Sequence, residues 1–214
     1  MEIKLEKWSK FLSQKSKNRM FDFINDLDLL PSNLIQDQRF LDVSEVVVNK
    51  IADIIPSENE RKVLIVNFNS SEEINLFIEH GYKVVVLTSD EKIKAKYENS
   101  NFEMLLMHQS FLEFTNKSFD IIWAKQTLQK SLFPLYTITE FFRTLKDDGL
   151  LYIETPSDKN EFEKNNKSDI SLFSKEIWYK NIETVGFNII DTVDVNLQSE
   201  NAGFSDLYWL FFCT

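Results

Sequence analysis

The residue types that most often carry chemistry are sparse in this sequence. It contains two histidines, His80 and His108, and a single cysteine, Cys213. Neither histidine is paired with a cysteine or carboxylate at metal-ligand spacing, so we expect no metal site. The sequence has no G-x-S-x-G motif, and Cys213 lies in an apolar terminal run that favours a core role over a reactive thiol. Metal-dependent and nucleophilic hydrolysis are therefore not supported.

The segment VLIVNFNSSEE is the best candidate for a ligand-binding loop. It joins an apolar, strand-like run to a helix whose start is predicted by a capping box of Ser70 and Glu73. The pyrophosphate of a dinucleotide needs close backbone amides at a glycine-rich helix start. Here Glu72 and Glu73 stand where the phosphates would lie, and they complement the helix dipole instead. The loop therefore argues against a dinucleotide enzyme.

Length and composition indicate one α/β domain with an extension. The chain has 214 residues, 43% of them hydrophobic, and a formal net charge of -10. With no basic cluster, it is not expected to bind nucleic acid or an anionic membrane surface. The N-terminus lacks the apolar core of a signal peptide, and no apolar run reaches the roughly 18 residues that span a bilayer. These features predict a cytoplasmic protein with no transmembrane segment.

Residues 1–56 are predicted to form a helical extension, and residues 57–214 one compact unit. Asp42 and Glu45 fit a capping box, and Pro56 helps to end the helix that follows. The apolar face of that helix is predicted to comprise Val43, Val46, Val47, Ile51, Ile54 and Ile55.

Downstream, strand-like and helix-like segments alternate. Apolar runs predict strands at 62–66, 83–87, 103–107, 119–124, in the segment GLLYIET that Gly149 opens, at 188–195 and at 205–212. Helices are predicted from Ser70 to a cap at Gly81, over 90–98, around Leu135, Ile138, Phe142 and Leu145, and from Ser174 to Gly186. This alternation indicates a mainly parallel sheet with helices on both faces, and the last two strands suggest an antiparallel hairpin at its edge.

Four segments in this order resemble class I S-adenosylmethionine (SAM)-dependent methyltransferases of the small-molecule type. They are HGYKVVVLTSD, SFDIIWAKQTLQK, LKDDGLLYIETPS and LFSKEIWYKNIETVGF. The resemblance implies a Rossmann-like, seven-stranded, mainly parallel sheet with an antiparallel last strand.

The sequence departs from that family at the cofactor loop. The family has an acidic residue two positions before the first glycine of a glycine-rich loop. Here Ile65 takes the acidic position, and Asn67, Asn69 and Ser71 take the glycine positions. Asparagine tolerates the left-handed region best after glycine. We therefore expect Asn67 and Asn69 to keep the path of the turn, with their side chains and Phe68 in the cofactor's space.

The resemblance also implies positions for the ribose and the adenine. The carboxylate that accepts the ribose hydroxyls is replaced by Thr88, with Ser89 and Asp90 following, and Asp90 could either substitute or cap the next helix. His108 or Gln109 falls near the adenine, and a structural role for His108 is the alternative. Losing two charge-assisted hydrogen bonds would weaken cofactor binding by about 10² to 10⁴.

Substrate-facing groups in the family follow the fourth strand, where this chain has Lys125, Gln126 and Lys130. None is an evident general base at neutral pH, so no catalytic residue is assigned. The alternative is that Lys125 and Lys130 are solvated helix residues and that the neighbouring Trp123 belongs to the core.

Two functions follow from these observations. The first is a methyltransferase-fold protein with an eroded SAM site, a pseudoenzyme that binds a protein partner or an altered ligand. The second is an active SAM-dependent methyltransferase of a small molecule, in which Asn67, Asn69, Asp90 and His108 replace the usual groups. The sequence fixes neither the substrate nor the oligomeric state.

Overall fold

A computed structural model describes residues 38–57, 60–160, 168–198 and 205–214 of the chain. Most of the predicted N-terminal extension and the middle of the polar loop after GLLYIET lie outside these ranges.

Helices and strands alternate along the described chain, as the hydrophobic pattern predicts. The helices are α1 (Gln38–Ile54), α2 (Ser71–Glu79), α3 (Glu91–Lys96), α4 (Pro134–Thr144) and α5 (Lys175–Val185), with a 3₁₀ turn at Leu128–Lys130. The strands are β1 (Lys62–Ile65), β2 (Lys83–Thr88), β3 (Glu103–Leu106), β4 (Phe119–Lys125), β5 (Leu145–Pro156), β6 (Ile189–Gln198) and β7 (Ser205–Cys213).

The seven strands form one sheet in the order β3-β2-β1-β4-β5-β7-β6. Strands β1 to β5 pair in parallel, and β7 runs antiparallel to both β5 and β6. The predicted seven-stranded sheet with a reversed last strand is thus confirmed, as is the terminal hairpin.

A separate hydrophobic core covers each face of the sheet. Helices α1 and α2 pack on one face, over strand residues that include Trp123 and Tyr152. Helices α4 and α5 pack on the other, over residues that include Ile122 and Ile153. Every residue of the central strand β4 is buried, including the charged residues Asp120 and Lys125 near its two ends. Between them, Ile121 to Ala124 form the continuous apolar run that is typical of a strand covered on both faces.

The predicted helix caps are confirmed at three places. Ser70 precedes α2, and its hydroxyl accepts a hydrogen bond from the backbone N–H of Glu73 at 3.3 Å. Gly81 follows α2 with φ of +85°, and Gly186 ends α5 with φ of +118°. Both glycines adopt the left-handed region, where side chains are strained.

The predictions for two helices were partly wrong. Helix α1 begins at Gln38, before the capping box predicted at Asp42 and Glu45, so that pair does not mark its start. Val46, predicted on the apolar face of α1, is 69% exposed. In α4, Ile138 is buried as predicted, whereas Leu135 and Phe142 are exposed. The buried face carries Phe141 instead of Phe142. Leu145 is buried as expected, but it begins β5.

Candidate functional site

The carboxyl ends of β1 to β5 lie at one edge of the sheet, which is where open α/β sheets bind ligands. All the site residues predicted from the sequence lie at or just beyond these strand ends. They fall into three loops for which cofactor contacts were predicted and a buried group of charged side chains.

The loop after β1 is held by its own side-chain amides. Asn67 Nδ2 donates to Asn69 Oδ1 at 3.1 Å, and Asn69 Nδ2 donates to the backbone oxygen of Lys125 at 3.3 Å. The prediction of left-handed backbone was wrong, because neither asparagine has a positive φ. The loop does not form the glycine-like turn that we expected. Its shape is held by side-chain hydrogen bonds, one of which joins it to the end of β4.

Phe68, between the two asparagines, packs against an aromatic ring at the end of α3. Its ring is tilted against that of Tyr97, with 5.1 Å between the ring centroids. The contact ties the loop after β1 to the chain that follows α3.

The end of β2 forms a capped helix start. Thr88 is buried, and its hydroxyl accepts from the backbone N–H of Asp90 at 3.1 Å. The Asp90 carboxylate accepts from the backbone N–H of Lys92 at 2.7 Å and of Ile93 at 3.4 Å, as an N-cap does. Ser89 is exposed beside it. The helix-capping alternative for Asp90 is therefore the role that its contacts display.

The end of β3 is also engaged in local hydrogen bonds. His108 is buried, its Nδ1 accepts from the backbone N–H of Ser110 at 3.1 Å, and its ring centroid lies 6.0 Å from that of Phe111. Gln109 Nε2 donates to the backbone oxygen of Thr127 at 3.3 Å. These contacts shape the turn after β3 and fasten it to the segment after β4.

Lys125, Glu73 and Ser44 form a buried group that we call the Lys125 cluster. The three side chains come from β4, α2 and α1, and all are at most 5% exposed. Lys125 Nζ donates to Ser44 Oγ at 2.7 Å and forms an ion pair with Glu73 Oε1. Ser44 Oγ donates to the same carboxylate oxygen at 2.7 Å. Lys125 is therefore not a solvated helix residue, and that alternative was wrong.

Glu154 lies opposite Lys125, as its register partner on the neighbouring strand β5. Its carboxylate accepts from the hydroxyl of Tyr152 at 2.9 Å and from Gln126 Nε2 at 3.2 Å. The backbone N–H of Gln126 also donates to the backbone oxygen of Glu154 at 2.9 Å. Gln126 has a φ of +48°, a costly region for its side-chain type, so the chain is bent at the point where β4 ends.

Burial and charge set the protonation of this group together. Burial alone would lower the pKa of Lys125, but Glu154 and Glu73 outweigh it and raise that pKa above its usual value. Burial raises the pKa of the Glu154 carboxyl, although the nearby Lys125 ammonium acts in the opposite direction. Burial, with Glu154 next to it, holds the pKa of Tyr152 well above the usual value. Lys125 is consequently an ammonium ion at neutral pH.

The pattern of the family described as "Methyltransferase domain" matches residues 82–203, more than half of the chain. The chain belongs to this methyltransferase domain family. The match begins after β1, so it does not include the loop that carries Asn67 and Asn69. No curated protein sequence matches the chain.

Many solved structures share the methyltransferase fold with this chain. One is the Burkholderia thailandensis 1,6-didemethyltoxoflavin-N1-methyltransferase with bound 1,6-didemethyltoxoflavin and S-adenosylhomocysteine, which is 13% identical with a TM-score of 0.67 over 92% of this chain and 90% of that one. A SAM-dependent methyltransferase from Archaeoglobus fulgidus is 13% identical with a TM-score of 0.59 over 79% and 93%. The cyclase SpnF is 14% identical with a TM-score of 0.61 over 79% of each chain.

Several residues near the carboxyl ends of the strands in this methyltransferase domain were not predicted from the sequence. Ser44, Tyr152 and Glu154 were not singled out, and Glu73 was assigned to the capping box and the helix dipole. The available signal was a charged residue within an apolar run, as in GLLYIET, where Glu154 follows four hydrophobic residues. Such a residue needs a partner when the strand is buried.

The remaining substrate candidate and the core alternative have distinct positions. Lys130 is half-buried at the end of the 3₁₀ turn that follows β4. Trp123 is fully buried and stacks on Tyr152 with 4.1 Å between ring centroids, which confirms the core interpretation.

Two negative findings apply to the described ranges. They hold no group of three or more His, Cys, Asp or Glu side chains placed to bind a metal ion. Every helix in the same ranges is too short or too polar to cross a bilayer.

Cys213 is buried in β7, and burial raises the pKa of its thiol to about 12.

Proposed function

We propose that this methyltransferase domain has an eroded SAM site and acts without methyl transfer, by binding a protein partner or an altered ligand. The observation that carries the proposal is the buried Lys125–Glu73 ion pair at the strand edge where the fold places its ligand. In this arrangement the chain's own side chains take up the polar groups that a ligand would need.

The residues present fit SAM poorly in two respects. SAM carries a positively charged sulfonium, but the Glu73 carboxylate at the strand edge is already paired with the Lys125 ammonium, so the cofactor would have to compete with that lysine for it. The ribose position has Thr88, whose hydroxyl is engaged by Asp90, in place of a carboxylate. The Asp90 carboxylate is in turn engaged by two helix amides.

The same fold supports functions other than methyl transfer. SpnF, one of the structural neighbours, is described as a cyclase. A change of function on this scaffold therefore requires no change of sheet topology.

The second candidate is an active SAM-dependent methyltransferase of a small molecule. Membership of the methyltransferase domain family favours it, as does the long structural match to a Burkholderia enzyme that holds S-adenosylhomocysteine. In this case Asn67, Asn69, Asp90 and His108 would contact the cofactor, and Gln126 and Lys130 would face the substrate.

Isothermal titration of the purified chain with SAM and with S-adenosylhomocysteine separates the two candidates. We expect no saturable heat up to about 1 mM ligand, because losing two charge-assisted hydrogen bonds costs about 10² to 10⁴ in affinity. The Burkholderia methyltransferase, titrated with S-adenosylhomocysteine under the same conditions, is the positive control. Saturable binding in the low micromolar range would refute the eroded site and favour the active enzyme.

A further inference from the structure

The Lys125 cluster has the composition of a binding site for a primary ammonium group. We infer that Glu73, Ser44 and Glu154 form such a site and that the chain fills it with its own lysine. The inference deepens the proposed function, because it says which group occupies the strand edge in place of an external ligand.

The contacts around Lys125 Nζ match what an ammonium group needs. An ammonium has three donors and no acceptor. It meets the hydroxyl of Ser44 at 2.7 Å and the Oε1 of Glu73, and that hydroxyl donates onward to the same oxygen. Each acceptor is therefore oriented by a second contact within the site.

The acceptors come from distant parts of the chain. Ser44 precedes Lys125 by 81 residues and Glu73 precedes it by 52. Three different elements thus bring these groups together, and the site depends on the tertiary fold rather than on one turn of a helix. The lysine contributes a tether and an ammonium.

One carboxylate oxygen of the Lys125 cluster has no hydrogen-bond donor among the described residues. This atom is Glu73 Oε2, which is buried in a side chain that is only 4% exposed. A buried carboxylate oxygen without a donor is costly and is rarely left in a purely structural ion pair. Its presence indicates an anionic site that can hold a cation with more donors than one lysine directs to it.

Charge complementarity points to a protonated amine as the occupant. Glu154 adds a second carboxyl from the neighbouring strand β5, and the two carboxyls keep the lysine in its ammonium form. A lysine held in that form is not a nucleophile for carbonyl compounds, so the cluster is a binding site for a cation and not a Schiff-base centre.

Chemical rescue of Lys125→Ala tests the inference. The substitution deletes the fragment that n-propylammonium reproduces. Thermal unfolding is followed at increasing n-propylammonium chloride, with NaCl reduced in step so that the ionic strength stays constant. We expect the melting temperature of the variant to rise with the logarithm of the amine concentration above the dissociation constant, by about 3 to 5 °C at ten times that constant. The wild-type chain, whose site is filled by its own lysine, is expected to show no such rise.

Three controls make the result specific. 1-Propanol has the same carbon chain without the charge and should not raise the melting temperature of Lys125→Ala. Lys146→Ala removes a lysine that pairs with Asp120 at a part-exposed position, and n-propylammonium should not rescue it. Lys125→Ala combined with Glu73→Gln keeps the cavity but removes the carboxylate, so its response should be lost.

The experiment tests the inference whether or not Lys125→Ala folds without added amine. If Lys125→Ala is folded and its melting temperature does not depend on n-propylammonium, the inference is overturned. If it is unfolded without amine, the yield of refolded protein is measured across the same concentrations, and a yield that never rises overturns it equally. Tight SAM binding by the wild-type chain would remove the proposed function while leaving an amine rescue intact, so the two failures are distinguishable.

Discussion

At the scale of single residues, Glu154 is where burial and charge compete most directly. Its carboxyl lies between the hydroxyl of Tyr152, the amide of Gln126 and the ammonium of Lys125. The two hydrogen bonds and the ammonium favour the charged form, whereas burial and Glu73 favour the protonated form and together prevail. The folded protein therefore holds the proton of Glu154 more tightly than the unfolded chain does.

This imbalance predicts a pH dependence of stability that Glu154→Gln should reduce. Protonation of Glu154 contributes its full stability below the ordinary carboxyl pKa of 4.5, and this contribution is lost as pH rises through the raised pKa of the folded state. A tenfold difference in proton affinity corresponds to about 1.4 kcal/mol. We expect the free energy of unfolding to fall less in Glu154→Gln than in the wild type between pH 5 and pH 8. Urea unfolding at a series of pH values measures it.

Asp191→Asn is the matched control for this experiment. Asp191 is exposed, and its hydrogen bond with Lys50 lowers its pKa from the ordinary value of 3.8. The stability that it contributes is present above pH 3.8 and is lost only as pH falls through the lowered pKa. The substitution should therefore leave the slope between pH 5 and pH 8 unchanged, and an equal change of slope in both variants would contradict the role given to Glu154.

The buried charges also mark the limit of what the sequence could predict about the site. The strand-end positions from Asn67 to Lys130 were found because the resemblance to the methyltransferase family implies cofactor and substrate groups after these strands. The pairing of Lys125 with Glu73 and Ser44 was not found, because each of the three residues has an ordinary explanation within its own element. Glu73 fits a capping box, and Ser44 and Lys125 read as polar residues of amphipathic segments. Only the packing of α1 and α2 against β4 brings them together.

At the scale of elements, the alternation of apolar runs with capped helices predicted the sheet well. Ser70, Gly81 and Gly186 gave the right helix ends, because a cap is a local feature of sequence. In α4, Ile138 was predicted correctly on the buried face, but Leu135 and Phe142 were wrong. Phe141, which lies on the buried face, was missed. A helix with apolar residues on more than one face does not reveal which face the sheet will cover, and Phe142 instead packs at the surface against Phe187.

Gly149 lies within β5, where contacts with other parts of the fold leave no room for a side chain. The sequence suggested that it opens a strand, but β5 begins four residues earlier, at Leu145. A Cβ built at Gly149 would lie 2.7 Å from the side chain of Leu145 and 2.9 Å from the backbone oxygen of Asp120 on β4. Asp120 cannot retreat easily, because its carboxylate holds the backbone N–H of Lys62 and the ammonium of Lys146.

We therefore predict that Gly149→Ala destabilises the protein by about 1 to 3 kcal/mol, the usual cost of overpacking a well-filled interior. Equilibrium urea unfolding measures the change. Asp148→Ala, at the exposed neighbouring position of the same strand, should change stability by no more than about 0.5 kcal/mol. If the two variants are equally stable, β4 can move to make room for the added methyl group. The close approach of Gly149 to Asp120 would then not explain the glycine.

At the scale of the whole molecule, the arrangement of charge separates an interior ion pair from a strongly acidic surface. The chain has 34 acidic and 24 Lys and Arg residues, and its described surface ion pairs, such as Lys50–Asp191 and Lys83–Glu60, are well exposed. Exposed pairs of this kind contribute only about 0 to 1 kcal/mol each. The Lys125–Glu73 pair, at about 5% exposure, is screened much less by salt.

Salt should consequently stabilise this protein at neutral pH. The net charge of -10 makes the folded surface repel itself, and raising NaCl from about 20 to 200 mM screens that repulsion more than it weakens the few exposed pairs. We expect the melting temperature at pH 7.5 to rise by a few degrees over this range, followed by circular dichroism. The control is the same protein near its isoelectric point of about 4.8, where the net charge vanishes and the rise should vanish with it. A melting temperature that falls with salt at pH 7.5 would mean that exposed ion pairs, rather than net repulsion, dominate the surface electrostatics.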